Sequence, residues 1–193
     1  MRDPREILDG DGADVEPGSG VSGSADGEDP EAAARGVCLR LLTSAPRTRA
    51  QLAQALRQRD VDDDVAESVL GRFSEVGLID DAAFADAWVE SRHAGRGLGR
   101  KALAAELRRR GVDADTVRDA VEELGPDQEE ETARRLARRK LTASRRQDSA
   151  ARARRALAML ARKGYSAGLA YRVVREELEA EGAGVELPEP DGD

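Results

Sequence analysis

The chain has 193 residues, of which 36% are charged, only 3% are aromatic and one is a cysteine. This composition is too poor in bulky apolar side chains for a broad β-sheet core and favours thin helical modules with small aliphatic cores. A single cysteine excludes an internal disulfide, no apolar run reaches the roughly 20 residues that span a bilayer, and the N-terminus lacks the apolar segment of a signal peptide, so we expect a cytoplasmic protein without a membrane partner.

The net charge of −8 is unevenly distributed along the chain. Residues 1–30 contain nine acidic and two basic side chains, and residues 179–193 contain six acidic side chains and no basic one, so their net charges are −7 and −6. Residues 31–178 therefore carry a net charge of +5. Because both ends contain almost nothing to bury, we predict two disordered acidic tails on a basic body, and only that body suits an anionic partner.

Helical periodicity over residues 31–79 predicts a first unit of three short helices. Pro46 ends the first helix, because proline cannot continue it. Thr48 and Gln51 have the spacing of a capping box, in which each side chain accepts a backbone N–H bond from the other residue, so they begin the second helix. Gly77 ends the third helix.

The second unit, residues 80–125, is predicted to have the same organisation. Asp80 or Asp81 caps its first helix, since either carboxylate can accept N–H groups that the first turn leaves unpaired. Trp88 lies on the apolar stripe of this helix and is expected in the core rather than on a base-stacking surface. The run from His93 to Gly99 holds three glycines, so we predict that it breaks the helix and forms a mobile cationic loop.

A third unit is predicted over residues 126–178, and equivalent positions recur along the chain at spacings of about 50 residues. A threefold repeat without a β-rich segment predicts an all-α protein of three tandem three-helix repeats. We expect an elongated, curved array, because each repeat alone offers too little apolar area for independent stability. The competing interpretation is one compact helical bundle. The equivalent positions include Leu56, Leu107 and Leu160, and likewise Asp60, Gly111 and Gly164.

No arrangement of residues in the sequence predicts catalysis, so we expect a protein that is not an enzyme and uses no metal or cofactor. His93 is the only histidine, and a lone histidine in a glycine-arginine loop is expected to be solvated; a catalytic role for it is a remote alternative. No Cys/His pattern has the spacing of a zinc site. The segment from Gly95 to Lys101 lacks the Lys-Ser/Thr ending of a Walker A motif, and no buried strand precedes it.

Basic residues are concentrated in the second and third units. Residues 92–110 contain seven basic side chains and one acidic one, and residues 134–163 contain twelve and one. On a helix with about 100° per residue, four of the arginines share one arc opposite Ala133 and Ala137. A solvated face is the ordinary explanation, but solvated faces usually mix charges of both signs, so an anionic partner explains this one better. The predicted contact residues are Arg92, Arg96, Arg100, Lys101, Arg108, Arg109, Arg110, Arg134, Arg135, Arg138, Arg139, Arg145 and Arg146.

Several short motifs occur in a characteristic order between Gly77 and Val112. They are Gly77-Leu78-Ile79-Asp80-Asp81, Phe84-Ala85, Trp88-Val89, Gly99-Arg100, Leu103, Glu106-Leu107 and Arg110-Gly111-Val112. In this order they resemble the RecX family of bacterial RecA regulators, and the resemblance extends over all three units. The first unit departs from the pattern, because Asp60 stands where the other two units have glycine.

The resemblance implies a regulator that binds RecA in the helical groove of the RecA–DNA filament. Such a protein modulates, and mostly inhibits, the ATPase, strand-exchange and co-protease activities of RecA in DNA repair and the SOS response. We expect it to act as a monomer. The alternative is a helical-repeat protein that binds single- or double-stranded DNA through its basic face and has no recombinase partner; its binding would be strongly salt-sensitive.

Overall fold

The structure, a computed structural model, describes residues 29–183, and these residues form nine α-helices and no strand. The prediction of an all-α protein with three consecutive helices per repeat is confirmed. Most of both predicted tails lies outside the described residues. The helices are α1 (Pro30–Ser44), α2 (Arg49–Arg57), α3 (Asp63–Glu75), α4 (Asp81–Arg96), α5 (Arg100–Arg109), α6 (Ala114–Glu122), α7 (Pro126–Thr142), α8 (Ser149–Arg162) and α9 (Ala167–Ala180).

Two helix starts follow the local rules that the sequence indicates. The capping box is confirmed, because Gln51 N donates to Thr48 Oγ1 at 3.2 Å and Thr48 N donates to Gln51 Oε1 at 3.1 Å. Asp80 caps α4, because its Oδ1 accepts a hydrogen bond from Ala83 N at 2.8 Å. Asp81 has another role: its carboxylate accepts the N–H of Arg49 at 2.9 Å, and burial is the main reason that its pKa is raised.

Three helix ends show why the repeats share a position that favours glycine. Gly111 and Gly164 adopt left-handed backbone conformations with φ values of 80° and 85°, which suit the residue that follows a helix. Asp60, the exception in the first repeat, adopts the same conformation with φ of 56°. Aspartate is one of the few residues with a side chain that tolerates this region, so the turn is kept without glycine.

The predicted break in α4 at His93 is wrong, because the helix continues to Arg96. Gly95 lies inside it, at a cost of only about 1 kcal/mol relative to alanine. The connector to α5 is therefore the short segment 97–99, which begins with Gly97 at φ of 61°. His93 itself is buried rather than solvated.

The described residues divide into two compact units, whose bounds differ from those of the three repeats. We call them unit 1 (residues 29–88 with Arg110–Asp113) and unit 2 (Val89–Arg109 with residues 114–183). The core of unit 1 is formed by α1, α2 and α3, around leucines such as Leu52 and Leu56 and the ring of Phe73. In the same unit the rings of Phe84 and Trp88 stack with centroids 5.7 Å apart, and both are buried, as predicted for Trp88.

In unit 2, helices α7, α8 and α9 enclose a second apolar cluster. Leu141, Leu160 and Val174 are fully buried there, and small alanines such as Ala137 let the helices approach closely. Tyr165 joins this core with 3% of its surface exposed. The apolar face of α7 is thereby fixed against its neighbours, which determines where its arginines point.

Candidate anion-binding site

Four arginines of α7 form two parallel rows instead of one uniform face. Arg134 and Arg138 are one helical turn apart and form what we call the paired row. Arg135 and Arg139 are likewise one turn apart, rotated by about 100° around the helix axis, and form what we call the open row. The two rows meet different neighbours within unit 2.

The paired row faces carboxylates of its own unit. Arg134 donates to Glu176 at 2.7 Å and to Glu130 at 2.6 Å. Arg138 makes a two-pronged contact with Glu177, with Nε at 2.8 Å and Nη2 at 2.9 Å from its two oxygens. The expectation that the arginine face carries no acidic neighbours is therefore wrong for Arg134 and Arg138. The reason is that Glu176 and Glu177 come from α9, some 40 residues further along the chain.

This pairing extends into a network of charges between α7 and α9. Arg172 of α9 donates to Glu130 at 2.5 Å, so that carboxylate lies between two guanidinium groups. The hydrogen bonds from Arg172 and then Arg134 lower the pKa of Glu130. Those from Glu176 and Glu130 raise the pKa of Arg134. The Arg138 side chain is itself 65% exposed, but carboxylates of unit 2 match the charges of the paired row, which therefore offers little net attraction to a partner.

The open row has no such neutralisation. Arg135 donates to the hydroxyl of Thr132 at 3.3 Å, a neutral group, and both Arg135 and Arg139 are exposed. Within residues 29–183, no carboxylate forms an ion pair with either of them. These two guanidinium groups remain as uncompensated positive charges on the surface of unit 2.

The open row lines one side of a groove of about 540 Å³ in unit 2. The opposite wall comes from the C-terminal end of α4 and from α8, and the floor contains the partly buried side chains of Leu136 and Met159. Five basic residues and no acidic residue line it. We call this feature the cationic groove; its basic residues are Arg96, Arg135, Arg139, Lys140 and Lys163.

Backbone contacts hold the two walls of the cationic groove together. Lys163 Nζ donates to the carbonyl of Arg96 at 2.5 Å, and the hydroxyl of Tyr165 donates to the carbonyl of Gly97 at 3.0 Å. Gly99 N donates to the carbonyl of Lys163 at 2.8 Å. A Cβ on Gly99 would lie 2.9 Å from the backbone of Gly164, so this approach requires glycine.

His93 fastens the same segment from inside. Its Nδ1 lies 2.8 Å from the carbonyl oxygen of Leu98, and its Nε2 lies 3.0 Å from Oγ1 of Thr132. Because one ring nitrogen contacts the 97–99 connector and the other contacts α7, the imidazole links the two walls of the cationic groove. Only 3% of His93 is exposed, so its role is structural and the solvated loop histidine expected from the sequence is not found.

Three of the predicted contact residues are engaged inside their own units. Arg92 is 3% exposed and its Nε lies 3.9 Å from Glu106, so it is not available at the surface. Arg100 donates from Nε to the carbonyl of Leu124 at 3.0 Å and lies 3.4 Å from Glu129. The third is Arg110, which directly follows α5. Its guanidinium carbon lies 3.6 Å from the centroid of the Trp88 ring.

The remaining predicted residues are exposed, and one of them, Arg96, lines the cationic groove. Arg145 and Arg146 lie in the connector between α7 and α8, outside the groove lining. Sequence reasoning missed Lys140 and Lys163, because only the packing of unit 2 brings both lysines to the groove. The available signal was the position of Lys140 directly after Arg139. The other exposed predicted residues are Lys101, Arg108 and Arg109.

The part of the chain that the structure describes contains no group of three or more His, Cys, Asp or Glu side chains placed to hold a metal ion. None of its helices is long and apolar enough to cross a bilayer. The cationic groove is the candidate site because five basic residues and no acidic residue line it, and such a lining can bind an anionic surface.

Profiles of one protein family match all three repeats. The profile described as "RecX, first three-helix domain" matches residues 34–73, the second-domain profile matches residues 80–121, and the third-domain profile matches residues 127–174. These matches include α4, α7 and α8, the helices that build the cationic groove.

Curated relatives show the same likeness over most of the chain. The "Regulatory protein RecX" of Thermobifida fusca (strain YX) is 65% identical over 181 residues, which cover 94% of this chain and 96% of that protein. The protein of the same name from Streptomyces coelicolor is 61% identical over 158 residues, which cover 82% of this chain and 84% of that one.

Two solved structures share the fold. A crystal structure of regulatory protein RecX superposes with a TM-score of 0.69 and 25% identity, over 77% of this chain and 72% of that one. RecX from Lactobacillus salivarius superposes with a TM-score of 0.73 over 77% of this chain and 96% of its own; at 20% identity this likeness concerns the fold alone.

Proposed function

Because this chain belongs to the RecX family of regulatory proteins, we propose that it binds the RecA–DNA filament and regulates RecA, mainly by inhibiting its ATPase, strand-exchange and co-protease activities. The observation that carries the proposed mode of contact is the cationic groove in unit 2, with five basic residues and no acidic residue in its lining. In this account the open row, Arg135 and Arg139, makes the central contact.

The physics of the groove supports an anionic partner. Charges that are already paired gain little from a new partner, whereas uncompensated charges on a concave surface attract an anion over a distance and gain contacts on docking. The apolar floor at Leu136 and Met159 excludes water from part of the contact, which strengthens each charge pair. A recombinase filament offers such anions as carboxylates of its protein and as phosphates of its DNA.

The rigidity of the groove adds to this proposal. Arg96 is held by the bond between its carbonyl and Lys163, and the 97–99 connector is held by His93 and Tyr165. Side chains on a fixed backbone lose less freedom on binding than those on a mobile loop, so more of the interaction energy appears as affinity.

An ATPase assay tests this proposal directly. RecA turnover on single-stranded DNA is measured at increasing concentrations of the wild-type protein and of the double variant Arg135→Glu and Arg139→Glu. We expect the wild type to inhibit, and the variant to need a concentration at least about tenfold higher, because two attractions become repulsions.

The matched control reverses two arginines that lie outside the cationic groove, Arg57 of α2 and Arg72 of α3. Both are exposed, and the change in net charge is the same. We expect the control to inhibit like the wild type. Equal inhibition by all three proteins would reject the groove as the contact site, and no inhibition by the wild type would reject the regulation of RecA.

The second candidate function is DNA binding without a recombinase partner. Five cations without an acid in one groove favour it, since such a surface also suits a phosphate backbone. It predicts that the affinity for DNA falls steeply with salt and that RecA turnover does not change. Fluorescence anisotropy with labelled DNA, run beside the ATPase assay, separates the two functions.

We also propose that the protein acts as a monomer in the cytoplasm, which sedimentation at several concentrations and fractionation of cells would test.

A further inference from the structure

Unit 1 exposes apolar side chains that its own core does not use. Among the described residues, three large apolar side chains are strongly exposed, and two of them, Val76 at 60% and Leu78 at 49%, lie in the connector between α3 and α4. The third, Leu39 at 47%, lies on α1. Single exposed apolar residues are common, but Leu78 differs from Leu39 because it also lines a groove.

Leu78 forms part of the lining of an apolar groove of about 270 Å³ in unit 1. Leu42 and Pro46 line it from the end of α1 and the connector that follows, and Phe84 and Ala87 line it from α4. Phe84 is only 7% exposed and stacks on Trp88, so this wall belongs to the packed interior of unit 1. We call this feature the apolar groove.

One cation in the apolar groove has an unused donor. The Nε atom of Arg47 is buried and has no hydrogen-bond partner among the described residues. Asp80 also lines the groove, but its Oδ1 is occupied by the N–H of Ala83 at 2.8 Å, where it caps α4. No carboxylate among the described residues forms an ion pair with Arg47, so its positive charge is left uncompensated beside the groove.

We propose that the apolar groove docks a segment of a partner protein that inserts one large aliphatic or aromatic side chain and places a neighbouring carboxylate against the guanidinium group of Arg47. The apolar walls select the first group, and the uncompensated charge of Arg47 selects the second. A lipid or a nucleic acid fits less well, since the groove is small and offers one cation instead of an array. This surface is separate from the cationic groove and lies in the other unit.

The inference rests on the proposed function in one respect, that the RecA filament is the first partner to test. The design uses two leucines of nearly equal exposure, Leu78 in the groove and Leu39 outside it. Leu78→Asp and Leu39→Asp make the same chemical change, so only the place differs. With filaments on single-stranded DNA as the probe, we expect Leu78→Asp to weaken binding about tenfold or more and Leu39→Asp to stay within about twofold of the wild type. Equal affinities of the two variants would overturn the proposal for this partner.

A second arm is independent of RecA. The isotope-labelled protein is titrated with a short synthetic peptide that carries a leucine between two aspartates, and with the same peptide carrying lysines. We expect saturable shifts of the NMR signals of Leu42, Leu78 and Ala83 with the acidic peptide only, and their loss in Arg47→Gln. Shifts elsewhere, no shifts at millimolar peptide, or equal shifts with the lysine peptide would overturn the proposal.

The two arms keep the two proposals apart. If the wild type does not bind filaments, the proposed regulation of RecA fails, while the peptide arm still decides whether the apolar groove takes an acidic apolar segment. A dimer of the wild type that Leu78→Asp converts to a monomer would assign the groove to a second copy of this chain, and that result would also overturn the proposal. Thermal unfolding of each variant confirms that it is folded before binding is compared.

Discussion

Arg138 and Arg139 are neighbours in the sequence but differ in what they contact. Arg138 holds Glu177 through two hydrogen bonds at 2.8 and 2.9 Å, and its charge is matched within unit 2. Arg139 is exposed at the edge of the cationic groove, and no carboxylate among the described residues pairs with it. A rotation of about 100° around one helix separates an arginine that stabilises the fold from one that is left for a partner.

This difference shows what a count of charges along the chain misses. The sequence between Arg134 and Lys163 contains twelve basic residues and a single acid, which suggests one uniform basic surface. The compensating acids, Glu176 and Glu177, belong to α9 and reach α7 only through the packing of the third repeat. An excess of charge in one segment becomes evidence for a partner only after the neighbouring helices have been placed.

A change in the wall opposite the open row should have the largest effect. Gly99→Ala places a Cβ against the backbone of Gly164, and such overpacking lowers the free energy of unfolding by about 1–3 kcal/mol. Because this displaces the connector that follows Arg96, inhibition of RecA should weaken as well. Chemical denaturation and the ATPase assay measure the two effects.

The control for this change is Gly95→Ala, four residues earlier. Gly95 lies in α4 and nothing would lie within 4 Å of an added Cβ. Alanine there should raise the free energy of unfolding by roughly 0.5–1 kcal/mol, since it favours the helix. If Gly99→Ala were as stable and as active as Gly95→Ala, the close approach between the connector and Gly164 would have no importance.

Removal of one arginine from each row should have an intermediate effect, which is on thermal stability. Arg138→Ala removes both donors from Glu177, whose side chain is only 9% exposed, whereas Arg139→Ala removes no internal contact. We expect Arg138→Ala to lower Tm by about 2–4 °C and Arg139→Ala to leave it within about 1 °C. Differential scanning calorimetry of the two variants decides this, and equal Tm values would mean that the paired row does not stabilise the fold.

The smallest effect is a dependence on pH. Arg172 and Arg134 lower the pKa of Glu130 below its ordinary value of 4.5. A carboxyl group with a lowered pKa in the folded state stabilises above its ordinary pKa, and this contribution is lost as the pH falls below 4.5 through the folded-state value. Glu130→Gln should therefore reduce the loss of stability in acid, as followed by denaturation at several pH values.

Glu131→Gln is the matched control for that experiment. Glu131 is adjacent on α7 and, among residues 29–183, makes no ion pair with an arginine. The substitution Glu131→Gln removes one carboxylate and leaves the ion pairs between α7 and α9 unchanged. The account would be contradicted if both variants changed the acid limb of the stability curve to the same extent.

Local features of the fold could be predicted from the sequence because short-range physics decides them. The capping box of Thr48 and Gln51, the end of α1 before Pro46 and the left-handed turn at Gly111 depend on a few adjacent residues. The burial of Trp88 followed from its place on an apolar stripe. The repeat itself was visible in the spacing of Leu56, Leu107 and Leu160, each of which is fully buried; these are equivalent core positions.

The features that sequence reasoning missed all depend on contacts between distant segments. The three glycines after His93 predict a loop there, but α4 continues past Gly95, and His93 contacts Leu98 and Thr132. The sequence places Arg92 on a basic surface, but it is buried near Glu106. Lys163 joins the cationic groove only because its turn packs against the end of α4. The elongated, curved arrangement of the repeats stays a prediction.

One binding measurement tests directly whether the open row, and not the paired row, contacts the partner. The variants Arg135→Gln with Arg139→Gln and Arg134→Gln with Arg138→Gln each remove two charges from the same helix, and their affinities for RecA filaments on single-stranded DNA are determined at one salt concentration. We predict that loss of the open row weakens binding about tenfold or more, while loss of the paired row changes it by less than about threefold once the folded fraction is taken into account. Equal losses, or a greater loss from the paired row, would contradict the account.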